Sequence, residues 1–164
     1  MDSHTLAQYL RELEASGLGV FVRMTPNLYP ILESFHVLGI ALLLGPAIAV
    51  DLRLLGVARN MVPVTVATRY LLPVSHLGFL IVVVTGATMF AGVAVTTSAS
   101  AAFPWKFSLI ALAGLNIAVF HFGVYRSVAR WDIDAATPMR AKIAGVVSAL
   151  SWTGVVFAGR FLAY

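Results

Sequence analysis

Apolar residues along this chain gather into four long blocks separated by short polar stretches, with one short amphipathic segment ahead of them. The pattern predicts membrane-spanning helices at about 30–52, 71–95, 105–125 and 142–162. At about 1.5 Å of rise per residue, each is long enough to cross a hydrocarbon layer of ~30 Å. The first block is the cleanest: from Glu33 to Asp51 the only residue able to carry charge is His36. Pro26 and Pro30 set its entry, and Pro46 is expected to kink it. Trp105 and Lys106 mark the start of the third span, Arg160 and Tyr164 the end of the fourth. Between the first two spans, the stretch from Pro63 reads as an interfacial helical turn, and the loop from Thr96 to Pro104 is small, polar and uncharged.

The leading segment has a different period. Leu6, Tyr9, Leu10 and Leu13 fall on one face of a helix over 3–15, opposite Gln8, Arg11, Glu12 and Glu14. Thr5 and Gln8 are expected to form a capping box and Gly17 to stop the helix. Residues 1–29 therefore read as an interfacial segment and 30–164 as the membrane bundle. His4 is read as a solvated residue; as a ligand it would make this segment a lid.

Composition strengthens the membrane reading. With 60% hydrophobic and 11% charged residues and a mean hydropathy of +0.90, the chain has too much apolar surface for a water-soluble domain of its size. The net charge of +4 reflects topology rather than nucleic-acid binding. The loops after the first and third spans hold Arg53, Arg59, Arg69, Arg126, Arg130, Arg140 and Lys142, against Arg11, Arg23, Lys106 and Arg160 on the other side. Both termini are accordingly expected to be periplasmic. Residues 1–29 lack the features of a cleaved signal peptide, so the first span is expected to insert as itself. With no cysteine, disulfides, thiolate metal sites and covalent haem attachment are excluded. The fold class is an all-α four-helix up-down bundle with a short N-terminal interfacial helix.

Polar groups inside spans then become the candidate chemistry. His76 lies five residues into the second span and His121 four from the end of the third, which places them at matched depth. Sequential antiparallel helices usually neighbour one another. Two imidazoles facing each other across a bundle suit a six-coordinate haem b, slotted where Gly78, Ala118 and Gly123 leave room. Arg69 and Tyr125, seven before His76 and four after His121, are candidates for its propionates, with a positive-inside arginine and an interfacial aromatic as the alternatives. His36 sits about 15 Å away along the helix rise and cannot share that iron. A His36–Met89 pair would suit a second haem or copper, the alternative for Met89 being plain packing. Glu33 and His36, three apart, read as a proton-accepting pair for quinol oxidation, or His36 as a histidine satisfied by a neighbouring helix. A di-iron site fails, since no carboxylate lies inside the other spans.

Phe35-His36-Val37-Leu38-Gly39, then Gly45-Pro46 and Asp51-Leu52-Arg53-Leu54-Leu55-Gly56, resemble a group of small, mostly uncharacterised bacterial four-helix membrane proteins. The resemblance implies a bacterial inner-membrane location and supplies no function. In helix number and histidine placement the chain is also similar to small membrane b-type cytochromes, departing from their four-histidine, two-haem pattern at Phe90 and Phe107.

The leading expectation is an electron-transfer protein that holds haem b and exchanges electrons with quinone or a partner redox protein. The alternative is a cofactor-free subunit or scaffold, packed as a homo-oligomer or in a larger complex. A small transporter ranks lower because four helices offer little cavity. No nucleophile–base arrangement indicates an independent hydrolase or transferase.

Overall fold

A computed structural model describes residues 3–162; Tyr164 lies outside them. In chain order the helices are α1 (Ser3–Ala15), α2 (Gly17–Met24), α3 (Leu28–Leu55), α4 (Val64–Gly92), α5 (Ala94–Ala99), α6 (Ala102–Phe122) and α7 (Met139–Phe161), with a 3-10 helix over Val124–Arg130 between the last two. Among the described residues, α3, α4, α6 and α7 are long and apolar enough to cross a membrane. Their outward faces carry exposed Leu80, Leu115, Val119 and Leu150, as lipid contact requires. The chain is an all-α, multi-pass membrane protein.

The boundaries move where distant residues cap a helix. The second span begins at Val64, so Pro63 to Tyr70 are not a separate interfacial turn. Asp132, far along the chain, accepts from Thr65 N at 2.8 Å through Oδ1 and from Thr65 Oγ1 at 2.8 Å through Oδ2. A carboxylate on the free N–H groups of a first turn is a strong start signal, here supplied from outside the helix. The helix then continues through Pro73, as α3 continues through Pro46. The third span ends earlier, at Phe122, and Tyr125 belongs to the 3-10 segment.

At the N-terminus Thr5 sits inside the first turn of α1, and Gln8 donates to Glu12 rather than to a capping box. The break falls at Ser16, whose hydroxyl accepts from Gly19 N, so Gly17 opens α2 instead of stopping α1. α2 docks on the end of α4: Arg23 donates to the carbonyls of Gly92 (2.9 Å) and Glu14 (2.7 Å), while Glu14 Oε1 accepts from Val95 N.

α3 is the spine, packed on α4 along one side and on α7 along the other, and α6 packs on α7. α3 and α4 cross where Gly39 and Gly78 face each other; a Cβ on Gly78 would lie 2.8 Å from Gly39 O and closer still to the Leu43 backbone. Gly78 thus serves helix contact, not room for a cofactor. α4 and α6, although consecutive spans, scarcely meet backbone to backbone. The bundle is a horseshoe in the order α4, α3, α7, α6, and its open side lies between α4 and α6.

The end carrying most of the basic residues is tied by Arg53, which is 3% exposed. Its guanidinium donates to the carbonyls of Val62, Arg59 (3.3 Å) and Asp132 (2.7 Å), joining the two loops at that end. Gly56 turns the chain out of α3 at φ 107°, with Gly56 N bonded to Arg53 O and Val57 N to Leu52 O. That left-handed step suits glycine.

Two outcomes follow from this packing. Asp132→Ala uncaps α4 and is expected to lower stability by about 1–2 kcal/mol, read from thermal unfolding in detergent. Gly78→Ala forces a methyl against backbone and is expected to cost about 1–3 kcal/mol in the same assay.

Candidate functional site

The open side of the horseshoe holds a cavity of about 290 Å³ to which all four spans contribute. Its walls are mostly apolar, with Phe79 of α4 set edge-on against Trp152 of α7 at 6.3 Å between centroids. Gly114 of α6 also lines it, and a Cβ there would meet nothing within 4 Å. Nearer α5, and outside the cavity lining, Phe90 of α4 stacks on Phe103 of α6 at 5.7 Å, and Phe103 touches Phe107 at 4.7 Å. Toward the basic end the cavity is closed by Phe120 and Tyr125, whose rings lie 5.4 Å apart, and by the Tyr125 hydroxyl bonded to Thr68 Oγ1 at 2.8 Å.

His76 and His121 both line this cavity, one from each side of the open face. They do not reach it as neighbours on packed helices; they flank the gap that α4 and α6 leave. His121 Nδ1 lies 3.0 Å from the carbonyl of Ile117 one turn back. A carbonyl only accepts, so Nδ1 carries the proton and, in the neutral ring, Nε2 keeps a free lone pair. That is how histidine ligands of metals are commonly oriented, by a backbone acceptor on the other nitrogen. His76 has no hydrogen-bond partner among the described residues and is exposed at the mouth.

Tyr125 is not on the helical face of His121, because α6 has ended, yet its ring rests on the imidazole with centroids 5.3 Å apart. Arg69 is exposed on α4 and does not line the cavity. Among the described residues no three His, Asp or Glu side chains converge as they would around a small ion. The histidines that line the cleft are these two.

His36 lies outside this cavity. Its Nδ1 is 2.8 Å from Thr85 Oγ1, and the same hydroxyl donates to Ile81 O at 2.7 Å. Having one proton, the hydroxyl accepts from the ring, so His36 also has the Nδ1–H form. The imidazole lies in the space left by Gly86, 3.0 Å from where a Cβ would stand. Glu33, three residues earlier, is exposed; Met89 is half-buried on α4, one turn beyond Thr85; His4 is exposed on α1.

The polar groups that sequence reasoning passed over are Asp51, Ser75, Asn116 and Ser148, which join the histidines in the cavity lining. Asp51 looked like the charged end of the first span, but it is 5% exposed and its Oδ2 has no partner. Its spacing offered a signal: Leu43, Ala47 and Asp51 recur every four residues on one helical face. Ser148 stands beside the carboxyl, Ser75 donates to Leu43 O at 2.8 Å, and Asn116 donates to Ala144 O at 2.9 Å.

No curated protein and no solved structure matches the chain. A family model does match it, over residues 9–164, which takes in part of α1 and all of α2 to α7. The chain belongs to a family of unknown function, DUF6644.

Proposed function

We propose that this protein is a membrane electron carrier whose cleft between α4 and α6 would hold one haem b through His76 and His121. The observation that carries the reading is the convergence of both histidines on one cavity, from two spans that leave a gap. Bound haem b supplies reversible one-electron chemistry there. The chain's own residues do the rest. Ile117 O holds the His121 proton on Nδ1 and so presents Nε2 to the cleft. Phe120 and Tyr125 pack on the His121 ring and limit its rotation. Phe79 and Trp152 exclude water from the inner wall. Arg69 lies seven residues before His76 toward the basic end but outside the cavity lining, so it would meet only an acidic substituent that projects from the cleft.

The location that goes with this reading is the bacterial inner membrane, with the basic end cytoplasmic and both termini periplasmic. Electrons would pass to and from the quinone pool or a redox partner protein, with the chain acting as a homo-oligomer or a subunit. His36, bonded between helices to Thr85, is favoured for a structural part by that very bond. A second haem or copper at His36 and Met89, or a proton-accepting pair of Glu33 and His36, would need His36 Nε2 as the free atom.

The detergent-purified protein, expressed with ample haem, is expected to show a sharp reduced α-band and about one haem per chain. His76→Ala and His121→Ala are each expected to abolish haem uptake while the protein still inserts; full haem in either variant would exclude that residue as an essential ligand. A colourless protein would instead support the cofactor-free scaffold. Separately, His36→Ala is expected to retain the full haem content, and loss of half from a protein holding two would assign the second site to His36.

A further inference from the structure

Asp51 is the one acidic residue in the cavity lining, and neither the proposed ligation nor the fold uses its Oδ2. A carboxyl that is 95% removed from solvent and retains an orphan oxygen is costly to keep ionised without a counter-charge. The fold withholds one. Arg53, two residues on, is turned to the carbonyls of Val62, Arg59 and Asp132. Around Asp51 the cavity offers Ser75 and His76 from α4, Asn116 and His121 from α6, and Ser148 from α7, so the other titratable groups there are the two histidines. Ser75 gives its one proton to the Leu43 carbonyl, and Ser148 stands beside the carboxyl.

From this geometry we infer that Asp51 is the proton site of the cleft: each electron taken up there is accompanied by one proton bound at the Asp51 carboxylate, released again on reoxidation. The inference rests on the haem reading. In a low dielectric an added electron disfavours a nearby anion, and the cheapest relief is protonation of the one carboxylate at hand. The balance is one electron from a one-electron donor, one proton from water at the basic end, and one O–H bond formed at Asp51. Asp51 lies one turn from the end of α3, so the proton's path to that surface is short. His76 and His121 are unsuited to the task, since a nitrogen committed to iron cannot also bind the proton.

The test is a potentiometric titration of the detergent-purified haem protein at a series of pH values, with the carboxyl C=O stretch followed by redox-difference infrared spectroscopy. The wild type is expected to lose about 59 mV of midpoint potential per pH unit across a window, the slope of one proton per electron. A protonated-carboxyl band is expected to appear on reduction. Asp51→Asn is expected to keep its haem, flatten the slope and remove the band. Ser148→Ala, which removes a polar neighbour of the carboxyl, is expected to displace the pH window and covers the case in which the asparagine variant misfolds. A haem-loaded wild type with a flat slope, or a slope and band unchanged in both variants, overturns the proton site and leaves the haem reading intact. A protein that takes up no haem overturns both.

Discussion

The guanidinium of Arg53 is the tie on which the rest of the arrangement depends. A buried arginine must satisfy its donors, and here backbone carbonyls of two loops accept from Nε and Nη2, while Nη1 is left without a partner. One loop leads from α3 into α4, the other from the 3-10 segment into α7. The Asp132 carbonyl takes one of those donors while its carboxylate starts α4. A single residue thereby joins the exit of α3, the entry of α4 and the approach to α7. Because α4 and α6 have little direct contact, the cleft between them owes its shape to this tie and to the spine of α3.

The polar groups within the spans fall into two kinds. His36, Thr85, Ser75 and Asn116 are bonded to neighbouring helices or to the backbone, as hydrocarbon surroundings require. His76 and Asp51 Oδ2 are not bonded and line the same cavity; Arg53 Nη1, also without a partner, lies outside it. In a solvent that offers no hydrogen bonds, satisfied groups hold helices together, whereas unsatisfied ones gathered in a cleft mark where something else is to be met.

Much of the fold was legible in the sequence because lipid enforces a simple rule: long uncharged blocks become spans, and the four blocks led to α3, α4, α6 and α7. The matched depth of His76 and His121 came from the same counting of helix rise. What escaped it depends on contacts between distant residues. Nothing near Val64 announces that Asp132 will cap that helix, so the second span was placed too late. A charge at the end of an apolar block looks interfacial, which hid the burial of Asp51. Consecutive spans usually pack together, and only the close crossing of α3 on α4 and the pairing of α7 with both α3 and α6 show why these two do not. The proton positions on His121 and His36 rest on acceptors that only three-dimensional placement reveals.

The two walls of the cleft are held very differently. α4 is fastened at both ends, by Asp132 at Thr65 and by Arg23 at Gly92. α6 is the least enclosed of the four spans, with Ala113 and Phe120 as its buried residues, and it leans on α7. The cleft is therefore bounded by one wall pinned at both ends and one that rests mainly on α7. The opening between them faces sideways, so whatever exchanges with the cleft arrives through the plane of the bilayer and not from either aqueous end.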